Sequence, residues 1–290
     1  MNAAAEGSEG TPLLEVSEVT LRFGGVTALS NVSFDVREGE LFSIIGPNGA
    51  GKTSIFNCLN AVYRPQEGHI RLDGVELIGK RPSTTANMGV ARTFQNLALF
   101  RNLDVIDNLM LGRHHLMRTG FLKGMLWAGW AKREEIRNRV RCDEIAETLK
   151  LTPYRRMPVG ILPYGVQKRI EIGRALAMEP RLLLLDEPVA GMNLDESEDM
   201  ARAICQINGE LGVTMILVEH DMHLVMDIAD RVLALDFGVP IALGPADAIR
   251  NDPRVIEAYL GQLSDVEPHD IAPHSLEPTD MEPSDMEPRP

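Results

Sequence analysis

Residues 46–53 read Gly-Pro-Asn-Gly-Ala-Gly-Lys-Thr, after the apolar run 41–45 and before the helix-forming stretch 53–59. This pattern demands a strand, a tight loop and a helix in succession. Gly46, Gly49 and Gly51 can take backbone angles that a Cβ forbids. The loop between them can wrap a phosphate chain, with Pro47, Asn48, Ala50 and Ser54 completing the cradle. Lys52 would place a cation on the outer phosphates, and the Thr53 hydroxyl can ligate Mg²⁺. ATP and Mg²⁺ are the expected ligands.

At 290 residues the chain suffices for one sizeable α/β domain plus extras, and 44% apolar content supports a real core. The net charge of −13 argues against a nucleic-acid partner held through phosphates. That charge is uneven, because residues 264–290 carry eight acids and one Arg. Cys58, Cys142 and Cys205 lack metal-ligand spacing and read as buried or inert free thiols. Residues 1–11 are polar and acidic, unlike a signal peptide. No apolar run is long enough to span a bilayer, so at a membrane another chain would do the crossing.

The expected fold is α/β. Strand-type alternation over 13–45 and a hairpin-like stretch at 68–77 predict an antiparallel β subdomain. A helical subdomain follows at about 97–178. Apolar strands at 182–185, 214–218 and 232–235, separated by helical patterns, predict a mostly parallel sheet. Asp195 is expected to cap the next helix, with Glu196 and Glu198 in its first turn. Two short helices after Leu243 close the domain, which runs over 12–262 between a disordered leader (1–11) and an acidic tail (263–290). The tail repeats every five residues, with Pro268, Pro273, Pro278, Pro283 and Pro288. Proline at that period excludes helix, so the tail is expected to be extended and disordered.

Four further residues point toward the phosphate loop. Asp186 and Glu187 end a run of four leucines; Asp186 suits the Mg²⁺ shell and Glu187 a general base for the attacking water. His220 follows another apolar strand and can reach the γ-phosphate. Gln95 precedes the helical subdomain and can touch both Mg²⁺ and the water. Phe23, about two dozen residues before the loop, can stack on the purine or sit in the core.

Taken together, the loop, Gln95, residues 162–169, Asp186-Glu187-Pro188, Ala190–Asn193 and His220 resemble the ATP-binding cassette family. Arg92-Thr-Phe-Gln, Glu187-Pro-Val-Ala-Gly-Met-Asn, Val218-Glu-His-Asp-Met and the stretch 250–261 look like the LivG-type ATPase subunit of branched-chain amino acid importers. That resemblance implies a peripheral ATPase on the cytoplasmic face of the membrane. Its implied partners are two permease subunits, a second cassette ATPase and, indirectly, an extracytoplasmic solute-binding protein. It also implies that Leu162, Pro163, Tyr164, Gly165 and Val166 form the signature segment, which completes the partner's nucleotide site. The family's usual Ser is Pro163 here and its usual Gln is Val166. Pro163 offers neither hydroxyl nor N–H, and a lost donor to a charged group costs about 1.5–3 kcal/mol. Leu194 stands where the subfamily usually has Pro, with little consequence expected.

In a head-to-tail dimer, a weakened signature favours a heterodimer with unequal sites; a homodimer would carry the defect twice. Two readings compete for Trp127, Trp130 and the basic residues from Lys132 to Arg141. They form either a solvated face of the helical subdomain or a surface for a permease helix or lipid headgroups. Rival functions are a regulatory subunit with little ATPase activity and a soluble, non-transport cassette protein. The latter types carry two cassettes or a long coiled-coil insertion, and neither is present.

Overall fold

The computed structural model of the protein describes residues 12–93, 99–114, 116 and 128–264, without side-chain detail at 128–131 and 260–264. Gln95, Trp127, the Trp130 side chain, the leader and the repeat tail fall outside the described residues.

Two sheets form the frame. The first is antiparallel: β1 (Pro12–Phe23), β2 (Val26–Arg37), β4 (Glu67–Leu72) and β5 (Val75–Glu76), in the order β2-β1-β4-β5. The second contains β3 (Leu41–Ile45), β6 (Val90–Arg92), β7 (Leu182–Asp186), β8 (Thr214–Val218), β9 (Arg231–Asp236) and β10 (Val239–Pro245). Its order is β10-β9-β3-β8-β7-β6, parallel throughout except for the β9–β10 hairpin. The expected parallel sheet and antiparallel subdomain are therefore both present.

The parallel strands read as unbroken apolar runs because both of their faces are buried. Alternate residues feed two cores. Phe42, Ile44, Leu182, Leu184, Ile216 and Val218 face the antiparallel sheet and α1 (Lys52–Leu59). Leu41, Ile45, Leu183, Leu185, Met215 and Leu217 face the helices. The four leucines of β7 are fully buried, each contributing about 1.5–3 kcal/mol. Arg231 ties the sheets together, with 2.9 Å to Asp35 on β2 and its guanidinium over the Phe42 ring.

The remaining helices are α2 (Pro82–Asn87), α3 (Val105–Gly112), α4 (Ala128–Thr148), α5 (Tyr164–Leu176), α6 (Leu194–Leu211), α7 (Met222–Ile228), α8 (Ala246–Arg250) and α9 (Pro253–Ser264). Helices α3, α4 and α5 pack closely where Gly173 lies. A Cβ there would meet Leu109 at 2.7 Å and Leu149 at 2.9 Å. Helices α8 and α9 close the fold after β10, as the sequence suggests.

One expectation needs correction. Asn193, not Asp195, caps α6. Its side chain accepts from the Glu196 amide at 2.9 Å, and Glu196 returns a bond to the Asn193 amide at 3.2 Å. This reciprocal box satisfies two donors that a helix start otherwise leaves open. Asp195 and Glu196 occupy the first turn; Glu198 does not. The three thiols are free, as expected. Cys58 and Cys142 are buried, and burial pushes them up to about 12 and about 11; Cys205 is exposed, and partial burial of its thiol still raises it.

Candidate functional site

Parallel register brings the functional strand ends to one edge of the sheet. Ile44 and Asp186 both pair with Val218, so the segments following β3, β7 and β8 emerge side by side. That carboxyl edge is where open α/β sheets bind ligands. A cavity of about 460 Å³ lies there, lined by Asn48 to Ser54, Glu187 and His220, with Val26, Thr27, Ala28 and Phe237 at its sides.

The loop between β3 and α1 is tightly held. Gly46, Gly49 and Gly51 have φ of +150°, +81° and +101°. At Gly46 a Cβ would stand 2.3 Å from the Leu235 carbonyl oxygen. The Gly238 amide donates to the Ala50 oxygen at 3.0 Å, fastening the β9–β10 turn to the loop. Gly51 precedes α1, whose first amides lack intrahelical acceptors and point toward an incoming anion. The Lys52 ammonium is buried and donates to the Gly46 and Pro47 carbonyls at 2.6 and 2.9 Å. Burial lowers its pKa, against the opposing pull of Glu187 and Asp186.

Glu187 and His220 meet directly. His220 Nε2 lies 2.6 Å from Glu187 Oε1, and with an ionised carboxylate the ring nitrogen is the donor. Glu187 has φ +48°, a strained backbone held by its amide donating to the Val218 oxygen at 2.9 Å. Strain of this kind, about 1–3 kcal/mol, persists where surrounding bonds over-determine it and clusters at functional sites. The strained backbone and the His220 contact thereby hold the carboxylate in the cavity wall.

Asp186 and Thr53 supply carboxylate and hydroxyl oxygens, the hard donors that Mg²⁺ takes. Among the described residues no cluster of three or more acidic, His or Cys side chains could hold a metal alone.

The remaining candidates lie elsewhere. Phe23 is half exposed at the end of β1, edge-on to Tyr63 with ring centroids 5.0 Å apart, and does not line the cavity. Residues 162–166 do not line it either. Pro163 precedes α5 with no side-chain capping bond, Tyr164 lies against Gly191, and Val166 packs onto the main core. Within one chain the segment therefore stands apart from the phosphate loop.

Three positioning residues were not assigned roles from sequence. Arg92 donates to Asp186 Oδ2 at 2.6 Å. Glu219 is buried and its carboxylate accepts from the Val189 and His220 amides at 2.9 and 3.1 Å, joining the segments after β7 and β8. Burial holds its carboxyl above the usual range, with those amides pulling the other way. Tyr259 on α9 accepts from the Gly46 amide at 2.8 Å, and burial pushes its hydroxyl up to about 12.

Tyr259→Phe should leave the Gly46 amide without its acceptor, costing about 1–3 kcal/mol. A melting scan should register this as a loss of several degrees, with weaker ATP binding alongside. Unchanged values in both would show that α9 does not brace the loop.

Residues 29–190 match the ABC transporter family. The chain belongs to that family. A further match, over 239–262, is to the branched-chain amino acid ATP-binding cassette transporter family, and it includes Tyr259 and most of α9. BraF of Pseudomonas aeruginosa, a high-affinity branched-chain amino acid transport ATP-binding protein, is 43% identical over 87% of this chain and 98% of its own length. LivG of Escherichia coli K12 is 41% identical over the same shares. Among solved structures, an ATP-binding cassette of an ABC transporter in its ADP conformation aligns with a TM-score of 0.75 at 28% identity, covering 87% of this chain and 99% of that one. A nucleotide-free cassette gives 0.73 at 28% identity, covering 86% and 99%. The chain is thus an ATPase of the ABC transporter family. No described helix of this ABC transporter subunit is long and apolar enough to cross a membrane.

Proposed function

We propose that this chain binds and hydrolyses ATP to power import of branched-chain or related amino acids through separate permeases, from the cytoplasmic face of the membrane. The match of 239–262 to the branched-chain subfamily carries the choice of substrate class. The catalytic side rests on Lys52, Asp186, Glu187 and His220 gathered at one sheet edge. Mg²⁺ would be held by Thr53, Asp186 and Gln95. It would neutralise charge on the outer phosphates, while Glu187, oriented by His220, accepts the proton of the attacking water. Phe23, half exposed and outside the phosphate cavity, would stack on a base that extends beyond it. Reconstitution with permease subunits of a branched-chain amino acid importer tests this. Leucine uptake should require ATP and stop with Glu187→Gln; uptake that persists would refute the reading.

The signature segment supports unequal sites in a heterodimer. Pro163 lies outside this chain's own nucleotide cavity and offers no donor to a partner's phosphate. A chain acting alone would carry this defect at both of its sites. Pro163→Ser should therefore raise the turnover of the isolated chain about 10- to 100-fold, the worth of a charged hydrogen bond. It should change the pair with the second ATPase less. Rapid turnover by the unaltered isolated chain would remove the argument for a heterodimer.

A further inference from the structure

Asp186 is buried at the end of β7, where the Arg92 guanidinium pairs with it. The guanidinium divides its donors. Nη2 reaches Asp186 Oδ2 at 2.6 Å, and Nη1 reaches Asn57 Oδ1 on α1, also at 2.6 Å. Its plane lies over the Phe56 ring, 5.5 Å from the centroid. Nε is buried and has no acceptor among the described residues. A pair built purely for stability would use the two-pronged Arg–carboxylate geometry. Here only one prong is on Asp186, and a buried donor is left unpaired.

The backbone around the pair is fastened independently. The Thr93 amide donates to the Leu184 oxygen at 2.9 Å, and the Thr93 hydroxyl accepts from the Asp186 amide at 3.1 Å. The Arg92 side chain can therefore shift without undoing the strand junction.

We propose that Arg92 is a stand-in cation for Asp186: it neutralises the carboxylate while no divalent ion is bound and yields it when Mg²⁺ arrives with nucleotide. This rests on Asp186 as the Mg²⁺ carboxylate. Two effects of opposite sign follow from Coulomb's law. Without metal, an incoming polyanion meets Glu187 in the cavity wall and the charge of Asp186 buried at the neighbouring strand end, and Arg92 offsets the latter. With metal, a fixed positive charge beside Asp186 repels the second cation and weakens its hold. Arg92 is a positioning residue, since it acts through Asp186 and does not line the cavity.

The test measures binding, not turnover, on the full chain with trinitrophenyl-ATP as the fluorescent probe. Affinity is read in EDTA and then across a Mg²⁺ titration. Arg92→Gln should bind the probe several-fold to about tenfold more weakly in EDTA, yet reach its Mg²⁺ midpoint at a several-fold lower concentration. Arg92→Lys keeps the charge and loses the fork to Asn57, so it should stay within about twofold of the parent on both axes. Shifts in the same direction for Arg92→Gln, or a lysine variant as altered as the glutamine one, would reduce Arg92 to a packing element and overturn the proposal. Asp186→Asn separates the two layers. If it leaves the Mg²⁺ dependence unchanged, the metal assignment itself fails, whatever Arg92 does.

Discussion

Glu187→Gln should leave ATP bound and cut its hydrolysis by about 10²- to 10⁴-fold, the usual worth of a positioned general base. The amide keeps the size of the carboxyl and an oxygen for the His220 contact, which spans 2.6 Å. It removes the basicity. The residue is not expected to anchor phosphate, the role proposed for Lys52 and the loop amides that line the same cavity. Phosphate release and trinitrophenyl-ATP affinity measured on one preparation separate these contributions. A variant that lost affinity as steeply as turnover would mean that Glu187 holds the nucleotide and does not activate water.

Gly46→Ala should be the most damaging single methyl in the loop. The new Cβ would meet the Leu235 oxygen at 2.3 Å and the Ala50 side chain at 2.9 Å, at a φ of +150°. Neither neighbour is the free end of a flexible chain. Overpacking of about 1–3 kcal/mol adds to backbone strain of similar size. The residue's amide is also bonded to Tyr259 and its oxygen to Lys52, so displacement spreads to both. The expected result is a melting temperature lower by about 5–15 °C and loss of detectable ATP binding. Gly49→Ala is the comparison. Its φ is +81°, but nothing lies within 4 Å of the added methyl, so only the strain should register. Equal effects at the two positions would show that loop conformation, not the contact with Leu235, governs the site.

The parts of the site legible in sequence were those whose chemistry is local. Residues 46–53 declare a phosphate loop because neighbouring residues need one another: glycines for the turn, a lysine for charge, a hydroxyl at the helix start. Asp186-Glu187 and His220 were legible as polar residues that end apolar strands. Misreading the α6 cap shows the limit of this approach. Asn193 and Asp195 are both good capping types, and only the backbone decides which has the extended conformation that begins the helix.

The sequence by itself determined that the chain is a P-loop α/β domain with two acids and a His at strand ends, because strand burial and loop chemistry are written in adjacent residues. The tertiary structure alone decided which of those strand ends stand side by side. It also decided what steadies them: Arg92 on Asp186 across 94 positions, Glu219 on Val189 across 30, and Tyr259 on Gly46 across 213. An arginine, a glutamate and a tyrosine have no local pattern that betrays such work. Each became informative only when packing removed water from its polar atoms and left one partner within reach.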